Sequence, residues 1–330
     1  MTALKYYRLG WNYETGKGEN AFIGSNTGFS FGVLRSPKLR GVVLEFQPIY
    51  HYGYSNPAEV QFGAYTVEEQ FTFEPLDGTM AYFALGNCTN SDQTSYQIHT
   101  CYALSSGEIP TFSMRAEQSG GSESVFSTYI GCHVEECSWE WTEGEPLTCS
   151  VKIVAEKFYD NSQDGLTQWA TSFDLPPISN TVPYKLDSAG NFTIDGTGHS
   201  ELAYCKFGVR NKLNKQPAFQ STGQEWKKID YLGHKEYFLT LGLYMTGSDI
   251  LGLLRTQKGS NISVKFQRDT HDYIQFDASG CTFLNAYPSM KRYGTSDMVN
   301  CDLALQGFDI TIYDRISADT GGSTFYMKKA

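Results

Sequence analysis

The residues that could carry chemistry are few and dispersed. Six histidines, His51, His99, His133, His199, His234 and His271, stand singly, and none pairs with a nucleophile or carboxylate in a recognisable motif. The nearest approach to a metal set is Cys132-His133 with Cys137 and, further on, Cys149. A tetrahedral zinc site needs a second pair at similar spacing, and on an alternating strand these residues divide between two faces, so they read as strand interior. Asp187, Asn191 and Asp195 lie four apart, where a calcium loop needs ligands at every second position, and read as turn residues. Asn87, Asn191 and Asn261 open Asn-x-Ser/Thr triplets, but no signal-peptide core precedes them. No Gly-rich phosphate cradle, G-x-S-x-G elbow or basic aromatic patch occurs. The sequence predicts no catalytic residue, no cofactor and no metal site.

What remains are residues suited to contact rather than chemistry. Segment 48–65, PIYHYGYSNPAEVQFGAY, holds four tyrosines, two prolines and two glycines with little charge. Long unstructured loops are uncommon unless they serve a function. It is read as an interaction loop, with Tyr50, Tyr52, Tyr54, Pro57, Phe62 and Tyr65 as candidate contacts, since rigid aromatics give contact area at low entropic cost. A second, polar loop is expected over 211–230, with Lys212, Lys215, Lys227 and Lys228 as its candidates.

The elements that would position these segments come in two copies. Residues 109–155 open with an alternating strand (Phe112, Met114, Ala116), pass a polar hairpin, reach Gly131-Cys132, and close on a strand carrying Cys149, Val151 and Ile153. Residues 261–312 repeat that order with Ile262, Val264 and Phe266, then Gly280-Cys281, then Cys301, Leu303 and Leu305. Ahead of each lies a strand and a short helix: Asp77 caps one that presents Met80, Phe83 and Ala84 and ends at Gly86, and Ser248 caps one that presents Ile250, Leu253 and Leu254. The pattern is an internal duplication, with 88–107 as an insertion in the first copy alone. After Leu305 the alternation changes register at Gly307, as a β-bulge would produce.

The predicted fold is all-β, with one short helix in each of two tandem domains. The expected organisation is an N-terminal arm (1–38), a first domain (39–158), a linker (159–200) containing Pro176-Pro177, a second domain (201–314) and a C-terminal arm (315–330). A chain of 330 residues suffices for two cores, and 32 glycines with 15% aromatics suit many short strands. The net charge of −10 argues against a surface that grips nucleic acid, though not against one past which it slides. No run of 18 apolar residues occurs, so no membrane partner is expected, and the eight cysteines read as buried reduced thiols made in a cytoplasm.

The stretches FTFEPLDGTMAYFALGN, EIPTFSMRAEQ and STYIGCHVEECSWEWTEGEPLTCSVKIVAEKF resemble the major tail tube protein of long-tailed phages and related tailed viruses. KFGVRNKLN followed by YFLTLGLYMTGSDILGLL resembles the same family again. The likeness covers about 41–156 and 202–314 and rests on packing patterns. It implies two tandem β-sandwich or split-barrel domains, each with one flanking helix, in a structural virion protein whose sheets join between subunits into stacked rings around a channel for viral DNA, which passes without specific binding. Two such units per chain imply a trimeric pseudo-sixfold ring, with a hexamer as the alternative. The loop at 48–65 and the arms would join ring to ring, and the 88–107 insertion and the 211–230 loop would add material outside the tube or between rings. Other expected partners are the tape measure and tail terminator proteins, in a virion tail assembled in the host cytoplasm. The competing reading is a tail-tip or receptor- or glycan-binding β-protein.

Overall fold

The structure is a computed structural model, and it describes residues 6–19, 21–22, 28–39, 43–49, 59–92, 96–105, 107–120, 123–160, 183–186, 189–218, 226–244, 252, 259–269, 271–288 and 298–315. Nearly all of these are strand. The first half contains β1 (Tyr6–Tyr13), β2 (Phe29–Ser30), β3 (Gly32–Lys38), β4 (Val43–Ile49), β5 (Glu59–Pro75), α1 (Thr79–Leu85), β6 (Gly86–Asp92), β7 (Tyr96–Ala103), β8 (Phe112–Gly120), β9 (Glu123–Thr142), β10 (Thr148–Ala155) and β11 (Lys157–Asp160). The second contains β12 (Phe192–Ile194), β13 (Thr197–Gly198), β14 (Leu202–Ala218), β15 (Trp226–Tyr244), β16 (Ser260–Asp269), β17 (Asp272–Pro288), β18 (Met298–Ala304) and β19 (Gly307–Arg315).

Alternation decides these strands. In β10, Cys149, Val151 and Ile153 are buried while Thr148, Ser150 and Lys152 are not, so one face meets a core and the other meets water. The strands build three sheets. A central one runs β3–β5–β10–β9–β14–β15–β18–β17, with β4 extending the pairing along β5. A second runs β2–β1–β8–β9–β11, and a third runs β6–β7–β19–β17–β16–β12–β13.

Two strands belong to two sheets each. Residues 123–132 of β9 pair in the second sheet and 133–142 in the central one, and β17 divides likewise at Cys281. The corners are the Gly-Cys pairs. Gly131 (φ 66°) and Gly280 (φ 62°) both take the left-handed conformation that a side chain resists. Each faces the residue where the returning strand changes sheet: a β-carbon on Gly131 would lie 2.8 Å from Glu156 Cγ, and one on Gly280 2.7 Å from the Gln306 side chain. The amide of Glu156 donates to the Ile130 carbonyl and that of Gln306 to the Ser279 carbonyl, so the two corners share one hydrogen bond as well.

The pairing order repeats around these corners. β5, β8, β9, β10 and β11 pair among themselves as β15, β16, β17, β18 and β19 do. β14 takes the place that β3 and β4 together hold beside β5. The register change expected as a bulge at Gly307 is instead this corner: β18 stays in the central sheet and β19 enters the third, so the strand changes sheet rather than absorbing an extra residue.

One buried cluster holds residues of both halves. Trp139 of β9 lies 5.5 Å from the Phe276 ring of β17, and Trp141 lies 5.8 Å from Phe266 of β16. Both tryptophans are almost wholly buried, each contributing roughly 3 kcal/mol or more by area removed from water. On α1, Met80, Phe83 and Ala84 are buried, the Asp77 carboxylate accepts from the Thr79 amide at 2.8 Å, and Gly86 ends the helix at φ 95°. The second expected helix, with Ser248, Ile250, Leu253 and Leu254, falls outside the described residues.

Three sequence expectations need correction. Residues 6–13 and 29–38, expected to belong to an N-terminal arm, pair within the chain: β1 lies along β8 and β3 along β5. Trp11 is buried against Phe83 of α1 and Phe29 of β2, because an aromatic-rich segment without its own period finds its partners on neighbouring elements. Of the loops expected at 48–65 and 211–230, the described residues 48–49, 59–65, 211–218 and 226–230 lie in paired strands. β4 pairs β5 from Val43↔Thr66 to Ile49↔Glu59, and β14 pairs β15 out to Ala218↔Trp226. The aromatic, Pro- and Gly-containing make-up of the first and the polar make-up of the second suggested loops, yet backbone pairing does not require the apolar alternation of a half-buried strand. Finally, part of the expected linker is sheet, since β12 pairs β16 and Lys185 bridges Gln267; 161–182 lies outside the described residues.

Candidate functional site

The functional candidates are surfaces: the edges of the central sheet and its polar face. The central sheet already contains one joint between the two halves. β9 and β14 pair antiparallel through seven positions, from Tyr204↔Thr142 to Arg210↔Glu136, and ion pairs flank them: Arg210 Nε to Glu136 at 2.8 Å and Lys206 to Glu140 at 3.7 Å. The outer ends of the same sheet are β3 and the 282–288 part of β17. Among the described residues neither has a partner on its outer side in this sheet. By the repeat, β17 stands where β9 stands and β3 where β14 stands. The chain thus presents the two halves of its own internal joint, one at each end. Of the exposed large hydrophobic residues among those described, Val33 (41% exposed) lies on β3 and Leu284 (62% exposed) on β17.

The polar face of the central sheet carries paired charge. Lys215 lies 2.5 Å from Glu68 and 2.8 Å from Glu135, and Lys152 lies 2.7 Å from Glu135 and 3.3 Å from Glu68, closing a ring of alternating charges across β5, β10, β9 and β14. Partial burial pushes the Glu68 carboxyl up, but the hydrogen bond and charge of Lys215, with help from Lys152, bring it below its ordinary range. The hydrogen bond that Lys152 donates to the Glu135 carboxylate holds the lysine above its ordinary range against desolvation. Beside this ring opens a cleft of about 480 Å³ lined by Glu135, Glu136, Arg210, Lys212 and Glu236, with exposed Leu232 on its wall.

Of the residues singled out from sequence, Tyr50, Tyr52, Tyr54 and Pro57 fall outside the described residues. Phe62 and Tyr65 lie on β5, their backbones opposite Phe46 and Leu44, and Tyr65 is also bridged in parallel to Trp226 at the start of β15. That bridge brings the two ribbons read as separate loops side by side. They occupy equivalent places in the repeat, since β5 corresponds to β15. The four lysines do not form one cluster. Lys215 belongs to the charge ring, Lys212 pairs with Glu236 at 2.8 Å, Lys228 is exposed beside Asp230 at 3.4 Å, and Lys227 lies on β15 opposite Pro217. The 88–107 insertion is the hairpin β6–β7, and β7 pairs β19, so it crosses to the third sheet.

Several positioning residues were not legible beforehand. Glu14 is buried at 7% exposure and accepts four hydrogen bonds: from the Gly18 amide (2.9 Å), Thr111 (2.6 Å), Ser113 (2.9 Å) and the Gly131 amide (2.7 Å). It ties the N-terminal segment to the first corner. Lys235 donates to the Ala84 carbonyl at the end of α1 (3.1 Å) and to Asn211 Oδ1 (2.6 Å), and burial lowers it to about 8. Asn211 donates to Ala84 and Val134 carbonyls at 3.0 and 2.9 Å. The second half thereby satisfies one of the last helix carbonyls of the first, that of Ala84. A signal for Asn211 exists: it continues the inward series Cys205, Phe207 and Val209 as a polar residue at a core position. Cys132, His133 and Cys137 are all buried, and among the described residues no group of three or more metal-ligating side chains gathers. No family model matches this chain, and no curated protein matches its sequence.

Proposed function

We propose that this chain is a structural, non-enzymatic subunit of a viral tail tube, whose copies close into a ring through the central sheet and stack into a conduit for DNA. The observation that carries the reading is the internal joint. β9 pairs with β14 inside the chain, and the equivalent strands β17 and β3 stand at opposite ends of the same sheet with Leu284 and Val33 exposed. A surface whose two ends are complementary generates head-to-tail contacts, which close when the rotation allows. Pairing the ends also removes two open strand edges that would otherwise invite aggregation. Two quasi-equivalent units per chain favour a trimer with pseudo-sixfold symmetry.

The second and third sheets cover the apolar face of the central sheet, so the bulkier side takes the convex outside of a ring and the polar face lines the channel. There Lys152, Lys206, Arg210 and Lys215 each have a carboxylate within 3.7 Å. Cations held in this way offer phosphates little, which suits DNA that must slide. The equivalent ribbons β4–β5 and β14–β15 are the stacking elements of this reading, a role that replaces the loops expected from sequence.

Electron microscopy and native mass spectrometry of the purified full chain test it. Rings or tubes of three chains per layer are expected, and the double variant Val33→Asp with Leu284→Asp should yield folded monomers. A monodisperse wild-type monomer that never polymerises, or a double variant that still forms rings, would overturn the proposal.

A further inference from the structure

The hairpin β6–β7 carries a pair of thiols that neither the fold nor the assembly reading uses. Cys88 and Cys101 face one another directly in the β6–β7 register, with their sulfurs 3.1 Å apart. Residues directly opposed across antiparallel strands have Cα atoms roughly 4.5–5.5 Å apart, inside the range that a disulfide accepts without backbone movement. Access is asymmetric: Cys88 is half-buried and Cys101 fully buried. The other close pair, Cys137 and Cys149, differs on both counts. Its sulfurs are 3.6 Å apart, both residues are wholly buried, and each stands opposite another residue, Val151 and Trp139 respectively.

We infer that Cys88 and Cys101 are a thiol–disulfide exchange site that takes a low-molecular-weight disulfide such as oxidised glutathione. The Cys88 thiolate attacks one sulfur of the small disulfide and expels one glutathione thiolate, leaving a mixed disulfide on Cys88. The Cys101 thiolate then attacks the Cys88 sulfur and expels the second glutathione thiolate, closing the cross-strand bond. The two thiol protons pass to the expelled thiolates through solvent, so two protein thiols are oxidised as one small disulfide is reduced. Burial raises the Cys101 thiol well above its ordinary range, which makes the second step the slow one and speeds it with rising pH. The closed bond would latch the hairpin whose β7 is paired to β19, fixing a contact between the two halves.

The test uses the full chain in glutathione buffers of graded oxidised-to-reduced ratio, with free-thiol counts and chymotryptic mass mapping. Two of the eight thiols should be lost in the native protein, with Cys88 and Cys101 in linked peptides. Cys101→Ser should stop at one glutathione adduct on Cys88, and Cys88→Ser should lose no thiol under the same conditions. Eight free thiols at every ratio, a wild-type adduct on Cys88 that never resolves, or linkage of any other pair would overturn the inference. None of these outcomes depends on whether the chain assembles.

Discussion

Replacing either corner glycine by alanine separates backbone strain from close approach. At Gly131 (φ 66°) and Gly280 (φ 62°) an L-residue costs roughly 1–2 kcal/mol for the left-handed conformation alone. The added β-carbon would also lie 2.9 Å from Glu156 Cβ in the first corner and 2.7 Å from Gln306 Cβ in the second. Those carbons sit at the root of their side chains and cannot swing aside, so the strands must part, at roughly 1–3 kcal/mol more. Gly131→Ala and Gly280→Ala should therefore each lose about 2–5 kcal/mol. Gly144→Ala is the internal control: φ is 80°, but nothing lies within 4 Å of the new carbon, so only the backbone cost of about 1–2 kcal/mol applies. Urea unfolding followed by tryptophan fluorescence, with equal slopes, reads all three. If the corner variants lose no more than Gly144→Ala, the close approach has no energetic role. If one corner loses and the other does not, the two corners are not equivalent.

Further outcomes follow from the buried groups. Glu14→Gln keeps the shape but sets an amide donor against two of the four donors it faces, so it should cost about 2–4 kcal/mol and speed hydrogen exchange over 6–22; unchanged exchange there would refute the clamp. Trp139→Ala should cost about 3–5 kcal/mol and lower protection in both halves together, because the ring touches Phe276 and Phe308 of the second half; loss confined to the first half would contradict a shared core. Lys235 titrates at about 8 when folded and near 10.4 when unfolded, so between those values the unfolded chain holds the extra proton. Stability should rise with pH across that window by an amount on the order of 3 kcal/mol, and Lys235→Met should flatten the rise relative to wild type; parallel profiles would refute it.

The parts legible in sequence were those where one face is dry. Phe112, Met114 and Ala116 alternate against a core, as do Ile262, Val264 and Phe266, and the Gly-Cys pairs marked the corners because only glycine tolerates that backbone. The repeat of strand pairing around Gly131 and Gly280 follows the repeat of spacing. Illegible were the ribbons of β14–β15 and β4–β5, where backbone pairing continues through stretches that show no sustained apolar alternation. The burial of Ser113, Arg115 and Glu117 on β8 was equally hidden, since it arises from residues nearly a hundred positions away: Ser113 bonds Glu14, and Arg115 lies 4.4 Å over the Phe22 ring. Of the candidate surface, the lysines were visible but their carboxylate partners were not, because Lys215 meets Glu68 and Glu135 only after the four strands β5, β10, β9 and β14 lie side by side.

A strand that belongs to two sheets has a mechanical consequence. In an ordinary sandwich the layers meet through side chains alone, and a lateral load is resisted by apolar contacts that slip. Here β9 and β17 carry continuous covalent backbone from one layer into the next, so sliding the layers requires bending a strand at Gly131 or Gly280. Shear is thus borne by peptide bonds and by a ladder of hydrogen bonds loaded together. Torsion about the two glycines is then the motion by which these layers could shift without breaking the ladder.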